Sequence, residues 1–232
     1  MLLYNPKICY PSSEELPDSD DTPVDNELQD LIPTLLKSIL AYIWSERMDW
    51  FFGVDMGIYY DPKKPPIVPD GFLSLGVTRI IDEDLRLSYP LWEEKTVPSL
   101  VMEIVSQTKR GEYTEKKDAY AIMGVLYYVI YAPKRQRKPR LEIYKLNQGI
   151  YELVSIESPY FMSEIGLGIG RETGIYQGIK REWLYWYNHD GKRFLTPEEL
   201  VQKEQEMRRF AENKAAKMAQ RLREIGIDPD TL

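Results

Sequence analysis

The fold is decided by residues 99–133, SLVMEIVSQTKRGEYTEKKDAYAIMGVLYYVIYAP, in which three residue patterns follow one another. The first eight residues are apolar on both faces of a strand apart from Glu103, as expected of a central strand that is covered on both sides. The charged segment that follows predicts a helix ending at Gly124, and residues 125–133 predict a second buried strand. A strand, a helix and a strand within about 35 residues form a βαβ unit.

Upstream of this unit, the sequence predicts a helix and two strands. From Asn26 to Arg47, apolar residues recur at intervals of three and four, which is typical of an amphipathic helix, and Pro33 implies either a kink or a helix that begins just before it. Residues 50–62 and 67–77 are rich in aromatic and β-branched side chains and are separated by a proline-rich turn, so they predict two sequential strands or a hairpin. Residues 81–97 lack a clear period and predict a loop that can include a short helix.

Downstream, residues 140–146 and 150–156 predict a hairpin, and the Gly- and aromatic-rich stretch 160–195 predicts short strands that complete the sheet. Residues 197–225 form a charged, narrow-striped helical pattern. We therefore expect an α/β (α+β) fold with a mixed central sheet flanked by helices. The predicted segments are a disordered or extended leader at 1–24, a domain at 25–195 and a C-terminal charged amphipathic helix at 196–232.

The composition restricts the chemistry to carboxylates and lysines. The chain has one cysteine, Cys9, which excludes a disulfide within the chain and a cysteine-rich zinc cluster. It has one histidine, His189, which lacks a second ligand for zinc or a histidine partner for acid–base chemistry. The phosphate-binding pattern G-x-x-x-x-G-K-[ST] is absent, which counts against a nucleotide cofactor. No run of about 18 apolar residues and no basic leader occurs, so we expect a cytoplasmic protein without a membrane segment. The net charge of -7 counts against broad attraction to phosphate backbones, although a local basic patch can still bind DNA.

Three features are candidates for a site: Glu103, Asp70 and the lysine pair Lys116 and Lys117. Glu103 shares a strand face with Val101 and Val105, and a buried carboxylate there requires either a buried cationic side chain or a metal ion; the residues alone leave both open. Asp70 stands in a turn-like segment, where an aspartate is usually a local hydrogen-bond acceptor. The lysines of TEKKD are ordinarily solvated helix positions.

Taken together, the three features suit phosphodiester hydrolysis. Two carboxylates from neighbouring strands can hold Mg²⁺ or Mn²⁺ and leave open positions for water and a phosphate oxygen. Such an ion polarises the phosphoryl group and lowers the pKa of a bound water, while a nearby ammonium orients that water or stabilises developing charge. This chemistry needs neither cysteine nor histidine.

The run from PPIVPDGFLSLGV through PSLVMEIVS to EYTEKKDAYAIMGVLYYVIYAP resembles the Uma2 family, also called DUF820, of restriction-endonuclease-like proteins abundant in cyanobacteria. The resemblance covers about residues 25–232. Its most specific element is the ordered set PD, then E-[IV]-[VL]-S, then D/E-x3-K-x3-Y-x3-G-[VI]. It implies a restriction endonuclease-like core of the PD-(D/E)xK nuclease superfamily.

The resemblance also implies roles for individual residues. Asp70 and Glu103 match the metal ligands, and the backbone carbonyl of Ile104 is expected beside them. Lys116 matches the catalytic lysine because it lies four residues before Tyr120, whereas Lys117 is one step out of that register. Glu27 resembles the early glutamate of the family, which assists the metal through water, although a solvated role in the first helical turn is an equal alternative.

The function expected on this basis is hydrolysis of DNA by a Mg²⁺- or Mn²⁺-dependent endonuclease. The alternative is a catalytically silent nucleic-acid-binding, regulatory or assembly module that keeps the nuclease fold, which the acidic charge and several departures from the family pattern motivate. One such departure is Val105, at the place where many relatives in the wider superfamily carry their lysine. A homodimer formed through the C-terminal helix is a further expectation.

Overall fold

The computed structural model describes residues 4–5, 7–16, 26–81, 83, 85–105, 111–224, 226 and 228. The chain divides into two compact units, Met1–Phe194 and Leu195–Leu232. The helices are α1 Glu27–Ile43, α2 Leu91–Glu94, α3 Glu115–Met123 and α4 Pro197–Glu224. The strands are β1 Trp50–Val54, β2 Ile58–Tyr59, β3 Gly71–Leu75, β4 Tyr89–Pro90, β5 Leu100–Ile104, β6 Tyr127–Tyr131, β7 Leu141–Asn147, β8 Ile150–Ser155, β9 Tyr160–Met162, β10 Leu167–Tyr176 and β11 Ile179–Tyr187.

A six-stranded mixed sheet forms the centre of the larger unit, in the order β1-β3-β5-β6-β7-β8. The neighbours β5 and β6 are parallel and are joined through α3, which confirms the predicted βαβ unit. The other neighbouring pairs are antiparallel, including the predicted β7–β8 hairpin. The predicted α/β (α+β) architecture, with helices flanking a mixed sheet, is therefore correct.

Each face of this sheet is covered by its own apolar core. On one face, the apolar side of α1 packs with Met102 and Ile104 of β5 and with Trp186 of β11. On the other face, Val101 and Val105 pack with Tyr120 of α3. Because consecutive residues of a strand point to opposite faces, Glu103 lies on the α3 side of the sheet with Val101 and Val105.

Helix α1 begins after Asn26, whose side chain accepts a hydrogen bond from the Leu28 N–H at 3.0 Å and so caps the helix. The helix contains Pro33 in its interior, so it does not begin just before that proline. Pro33 is buried and faces the start of β3: a Cβ atom at Gly71 would lie 3.1 Å from Pro33 Cβ. The contact between α1 and β3 therefore depends on a residue without a side chain at position 71.

The prediction for residues 160–195 is wrong in two respects. The strands β9, β10 and β11 form a separate three-stranded antiparallel sheet instead of completing the central one. Two of them are also long, at 10 and 9 residues. Glycines inside β10 are required for close packing, since a Cβ at Gly170 would lie 2.8 Å from the Tyr187 ring. These glycines gave the segment its irregular appearance in the sequence.

The N-terminal segment is described only in part, and residues 17–24 of the predicted leader lie outside the described residues. The described part makes specific contacts with the domain. The ring of Tyr10 stacks on Trp92 with centroids 5.7 Å apart, and Trp92 Nε1 donates to the Pro11 carbonyl at 2.8 Å. The Tyr4 hydroxyl donates to the Tyr60 carbonyl at 2.7 Å. Whether residues 1–24 form a disordered or extended leader stays a prediction.

The smaller unit consists mainly of α4, which begins as the sequence predicts. Thr196 and Glu199 cap it reciprocally: the Glu199 N–H donates to Thr196 Oγ1 at 3.1 Å and the Thr196 N–H donates to Glu199 Oε2 at 2.9 Å. Ile225, the predicted end of the apolar stripe, lies outside the described residues. Among the helices that the structure describes, none combines the length and the apolar character needed to cross a membrane. Dimerisation through α4 stays a prediction.

Candidate active site

Asp70 immediately precedes β3 and is buried, with 7% of its surface exposed. Its Oδ2 accepts a short hydrogen bond from the Ile104 N–H, at the C-terminal end of β5. Its Oδ1 accepts a hydrogen bond from Gln29 Nε2 at 3.3 Å. The antiparallel pairing of Gly71 with Met102 explains why Asp70 lies beside the end of β5.

Glu103 is the most enclosed charged group of the site, with 2% of its surface exposed. Lys116 Nζ lies 2.9 Å from Oε2 and 3.0 Å from Oε1. The Tyr120 hydroxyl donates to Oε1 at 2.7 Å. Lys116 and Tyr120 are four residues apart on α3 and so occupy the same face of the helix, directed at the same carboxylate.

The two neighbouring lysines of α3 occupy different environments. Lys116 Nζ also donates to the Val68 carbonyl, at 3.2 Å, which joins α3 to the segment just before Asp70. Lys117 Nζ lies instead 3.6 Å from the ring centroid of Tyr144 on β7. The structure thus brings Asp70, Glu103 and Lys116 together and directs Lys117 elsewhere.

The electrostatics of this cluster follow from burial. Burial raises the pKa of the Asp70 carboxyl well above its ordinary value, and the charge of Glu103 raises it further, against the Ile104 N–H and Lys116, which lower it. Burial likewise raises the pKa of Glu103, although Lys116 and Tyr120 lower it. Burial lowers the pKa of Lys116, but the charge and hydrogen bond of Glu103 outweigh this effect and raise it. Ionisation of both carboxylates would leave the cluster with a net negative charge beside its one ammonium, and a bound cation would favour this ionised form.

Two further side chains contact the cluster that the sequence patterns did not single out as site residues. Tyr120 is fully buried and donates a hydrogen bond to Glu103, whereas the sequence pattern uses it only to set the register of Lys116. Gln29 of α1 reaches Asp70, whereas Glu27 is exposed at the first position of that helix. Gln29 lies one helical turn before the buried Pro33, and this spacing indicates that it is on the side of α1 that faces the sheet. The role of Glu27 toward a metal stays a prediction.

The carboxylates of the cluster are of the kind that holds a divalent ion. Within the described part of the chain, no group of three or more histidine, cysteine, aspartate or glutamate side chains is arranged to hold a metal ion. Mg²⁺, however, is commonly held by one or two carboxylates, with waters and phosphate oxygens completing its shell. Asp70 and Glu103 are two buried carboxyls that supply hard oxygen donors of this kind, so the residues present fit such an ion.

The chain is similar to a solved structure and to a family model. A solved structure described as "a putative nuclease belonging to DUF820", from Anabaena variabilis ATCC 29413, is similar to 56% of this chain and 69% of its own, with 15% sequence identity and a TM-score of 0.42. A search of curated proteins finds no match. The model of the family Uma2, described as "Putative restriction endonuclease", matches residues 20–172, a span that contains Asp70, Glu103 and Lys116. Since this match covers more than half of the sequence, the chain belongs to the Uma2 family.

Proposed function

We propose that this protein is a metal-dependent endonuclease that hydrolyses phosphodiester bonds in DNA. The observation that carries the proposal is the buried cluster of Asp70, Glu103 and Lys116 at the C-terminal end of β5. A buried pair of carboxylates accompanied by a single lysine is unfavourable as a purely structural element, because desolvation of the charges costs more than one ion pair returns. The family description, restriction endonuclease, points to the same chemistry.

In this proposal each residue has a distinct role. Asp70 and Glu103 hold Mg²⁺ or Mn²⁺ through their carboxylates, with the Ile104 carbonyl beside them. The bound ion would supply polarisation of the phosphoryl group and a lowered pKa of its water. Lys116 keeps its proton, since its pKa is raised, and so serves as an ammonium that orients the attacking water or stabilises developing negative charge. The Ile104 N–H and Gln29 orient the Asp70 carboxylate, and Tyr120 orients that of Glu103.

The proposal is tested by incubating the purified protein with supercoiled, linear duplex and single-stranded DNA, with and without Mn²⁺ or Mg²⁺. We expect cleavage that requires the metal and is lost in Asp70→Ala and Glu103→Ala. Lys117→Ala is the matched control, because this lysine lies on the same helix outside the cluster. Equal cleavage by the wild type and both carboxylate variants would identify a contaminating nuclease and refute the proposal.

One observation favours a second candidate, a catalytically silent nucleic-acid-binding or regulatory module. Lys116 Nζ lies within 3.0 Å of both oxygens of Glu103, so the ion pair can neutralise that carboxylate without a metal. The discriminating measurement is calorimetric titration with Mn²⁺ in the presence of uncleavable DNA. Heat that disappears in Glu103→Gln supports the endonuclease, whereas no heat with the wild type supports the silent module.

A further inference from the structure

Residues 134–140, KRQRKPR, form most of the connection from β6, which ends at Tyr131, to β7, which begins at Leu141, and we call them the basic loop. This loop contains five lysine and arginine residues and no acidic residue, although the chain has a net charge of -7. Because β5 and β6 are parallel, their C-terminal ends lie at the same edge of the sheet. Glu103 and Ile104 end β5, and the basic loop follows the end of β6, so it leaves the sheet at the edge where the candidate active site lies.

Two of the five basic residues hold the loop in shape. Arg135 Nη1 donates to the Pro139 carbonyl at 3.0 Å and to Glu142 Oε1 at 3.1 Å. Arg140 Nε donates to the Arg135 carbonyl at 3.0 Å, and Arg140 Nη1 lies 3.4 Å from Glu182 Oε1. These contacts close the loop on itself and compensate two of its charges.

The other three basic residues, Lys134, Arg137 and Lys138, are exposed. Within the part of the chain that the structure describes, their side chains make no ion pair or hydrogen bond. Three uncompensated positive charges therefore lie within five consecutive positions of an otherwise acidic protein.

The basic loop is also tied to the helix that supplies the site lysine. Arg135 Nη2 donates to the Tyr113 hydroxyl, and the guanidinium lies 5.3 Å from the centre of that ring. Tyr113 stands just before α3, whose first turn contains Lys116. This contact fixes the position of the basic loop relative to α3, and so relative to the Lys116–Glu103 pair.

We propose that Lys134, Arg137 and Lys138 bind the phosphate backbone of duplex DNA and hold the duplex across the candidate active site. This inference rests on the proposed function for the identity of the substrate. One DNA strand presents a phosphate about every 3.4 Å of helix axis, so a compact loop with three exposed cations meets a backbone of opposite and closely spaced charge. Backbone contacts of this kind fix the position of a duplex without reading its sequence.

The test is fluorescence anisotropy with a labelled 20-base-pair duplex, in EDTA to prevent cleavage, at several KCl concentrations. The loop variant replaces all three exposed residues of the basic loop by glutamine. The matched control loses the same charge from three exposed lysines elsewhere in the larger unit: Lys7→Gln, Lys95→Gln and Lys192→Gln. Thermal melting checks that both variants fold like the wild type.

We expect the slope of log K against log salt to fall in magnitude by about 2.7 in the loop variant, from about 0.9 for each lost phosphate contact. At 0.15 M salt this corresponds to roughly a hundredfold weaker binding. The control variant should retain the wild-type slope. An unchanged slope in the loop variant, or an equal loss in the control, would overturn the inference. So would displacement of the DNA by poly-glutamate at equal charge, since this would identify an acidic polypeptide as the partner.

A parallel cleavage assay separates this inference from the proposed function. At subsaturating DNA with Mn²⁺, the loop variant should cleave more slowly by about the factor by which its binding is weakened, whereas the control variant should cleave at the wild-type rate. If the wild type binds DNA through the basic loop but cleaves no DNA with any metal, the proposed endonuclease activity fails while the binding surface stands. If the wild type cleaves and the loop variant binds as tightly as the wild type, the basic loop is not the binding surface.

Discussion

Replacement of Lys116 by methionine removes the ammonium that contacts both oxygens of the buried Glu103 while keeping a side chain of similar length. Removing one partner of a fully buried ion pair typically costs about 3–5 kcal/mol, because the other charge remains uncompensated. Here the Lys116 side chain retains 29% of its exposure, which reduces the expected cost. Glu103 can also take up a proton when Lys116 is absent, which limits the cost of the substitution further, since one unit of pKa shift corresponds to about 1.4 kcal/mol. We therefore expect Lys116→Met to lower the free energy of unfolding by about 2 kcal/mol at pH 8.

The matched control is Lys117→Met, on the adjacent position of the same helix. Its ammonium contacts the Tyr144 ring, an interaction that contributes about 0.5–1 kcal/mol at a partly exposed site. Urea denaturation of both variants measures the difference. The deficit of Lys116→Met should shrink as the pH falls through the raised pKa of Glu103, because the protonated carboxyl no longer needs the ammonium. A deficit in Lys117→Met as large as that in Lys116→Met, or one independent of pH, would refute this reasoning.

Two further predictions concern the same cluster. Tyr120→Phe removes a hydrogen bond to the Glu103 carboxylate and should lower the free energy of unfolding by about 2 kcal/mol. Tyr128→Phe removes a hydrogen bond to the neutral Glu112 carbonyl and should lower it by about 1 kcal/mol. Urea denaturation compares the two variants, and equal losses would contradict a charged Glu103. The pKa of Asp70 is raised in the folded state, so its ionisation destabilises the protein. This destabilisation is absent below about pH 4 and reaches its full size above the folded pKa. The metal-free wild type should therefore lose stability as the pH rises, and Asp70→Asn should flatten this dependence and be more stable at pH 8; a parallel pH dependence would show that Asp70 is not the source.

The parts of the fold that the sequence predicts are those with local patterns. The period of α1, the βαβ unit and the β7–β8 hairpin depend on residues close together in the chain, and all three are present. Such features need no knowledge of distant contacts, because a helix after a buried strand packs back over it. The choice of Lys116 over Lys117 depends on the resemblance to the Uma2 family, and Lys116 Nζ lies 2.9 Å from Glu103 Oε2.

The features that the sequence did not predict depend on contacts between distant segments. The bond from Gln29 to Asp70 joins residues 41 positions apart, and it exists because α1 approaches β3 at Gly71. The separate sheet β9–β11 was assigned to the central sheet because period-2 alternation does not reveal which edge a strand joins. The contacts of Tyr10 with Trp92 were similarly invisible in a polar, proline-containing segment.

The central claim is that Asp70 and Glu103 together hold a divalent ion. The most direct measurement is a crystal structure of the protein soaked with Mn²⁺, in which the ion is located by its anomalous scattering. We predict a peak between the Asp70 and Glu103 carboxylates and the Ile104 carbonyl, with the Lys116 ammonium moved off at least one Glu103 oxygen. An intact Lys116–Glu103 pair with no peak at saturating Mn²⁺ would contradict the claim.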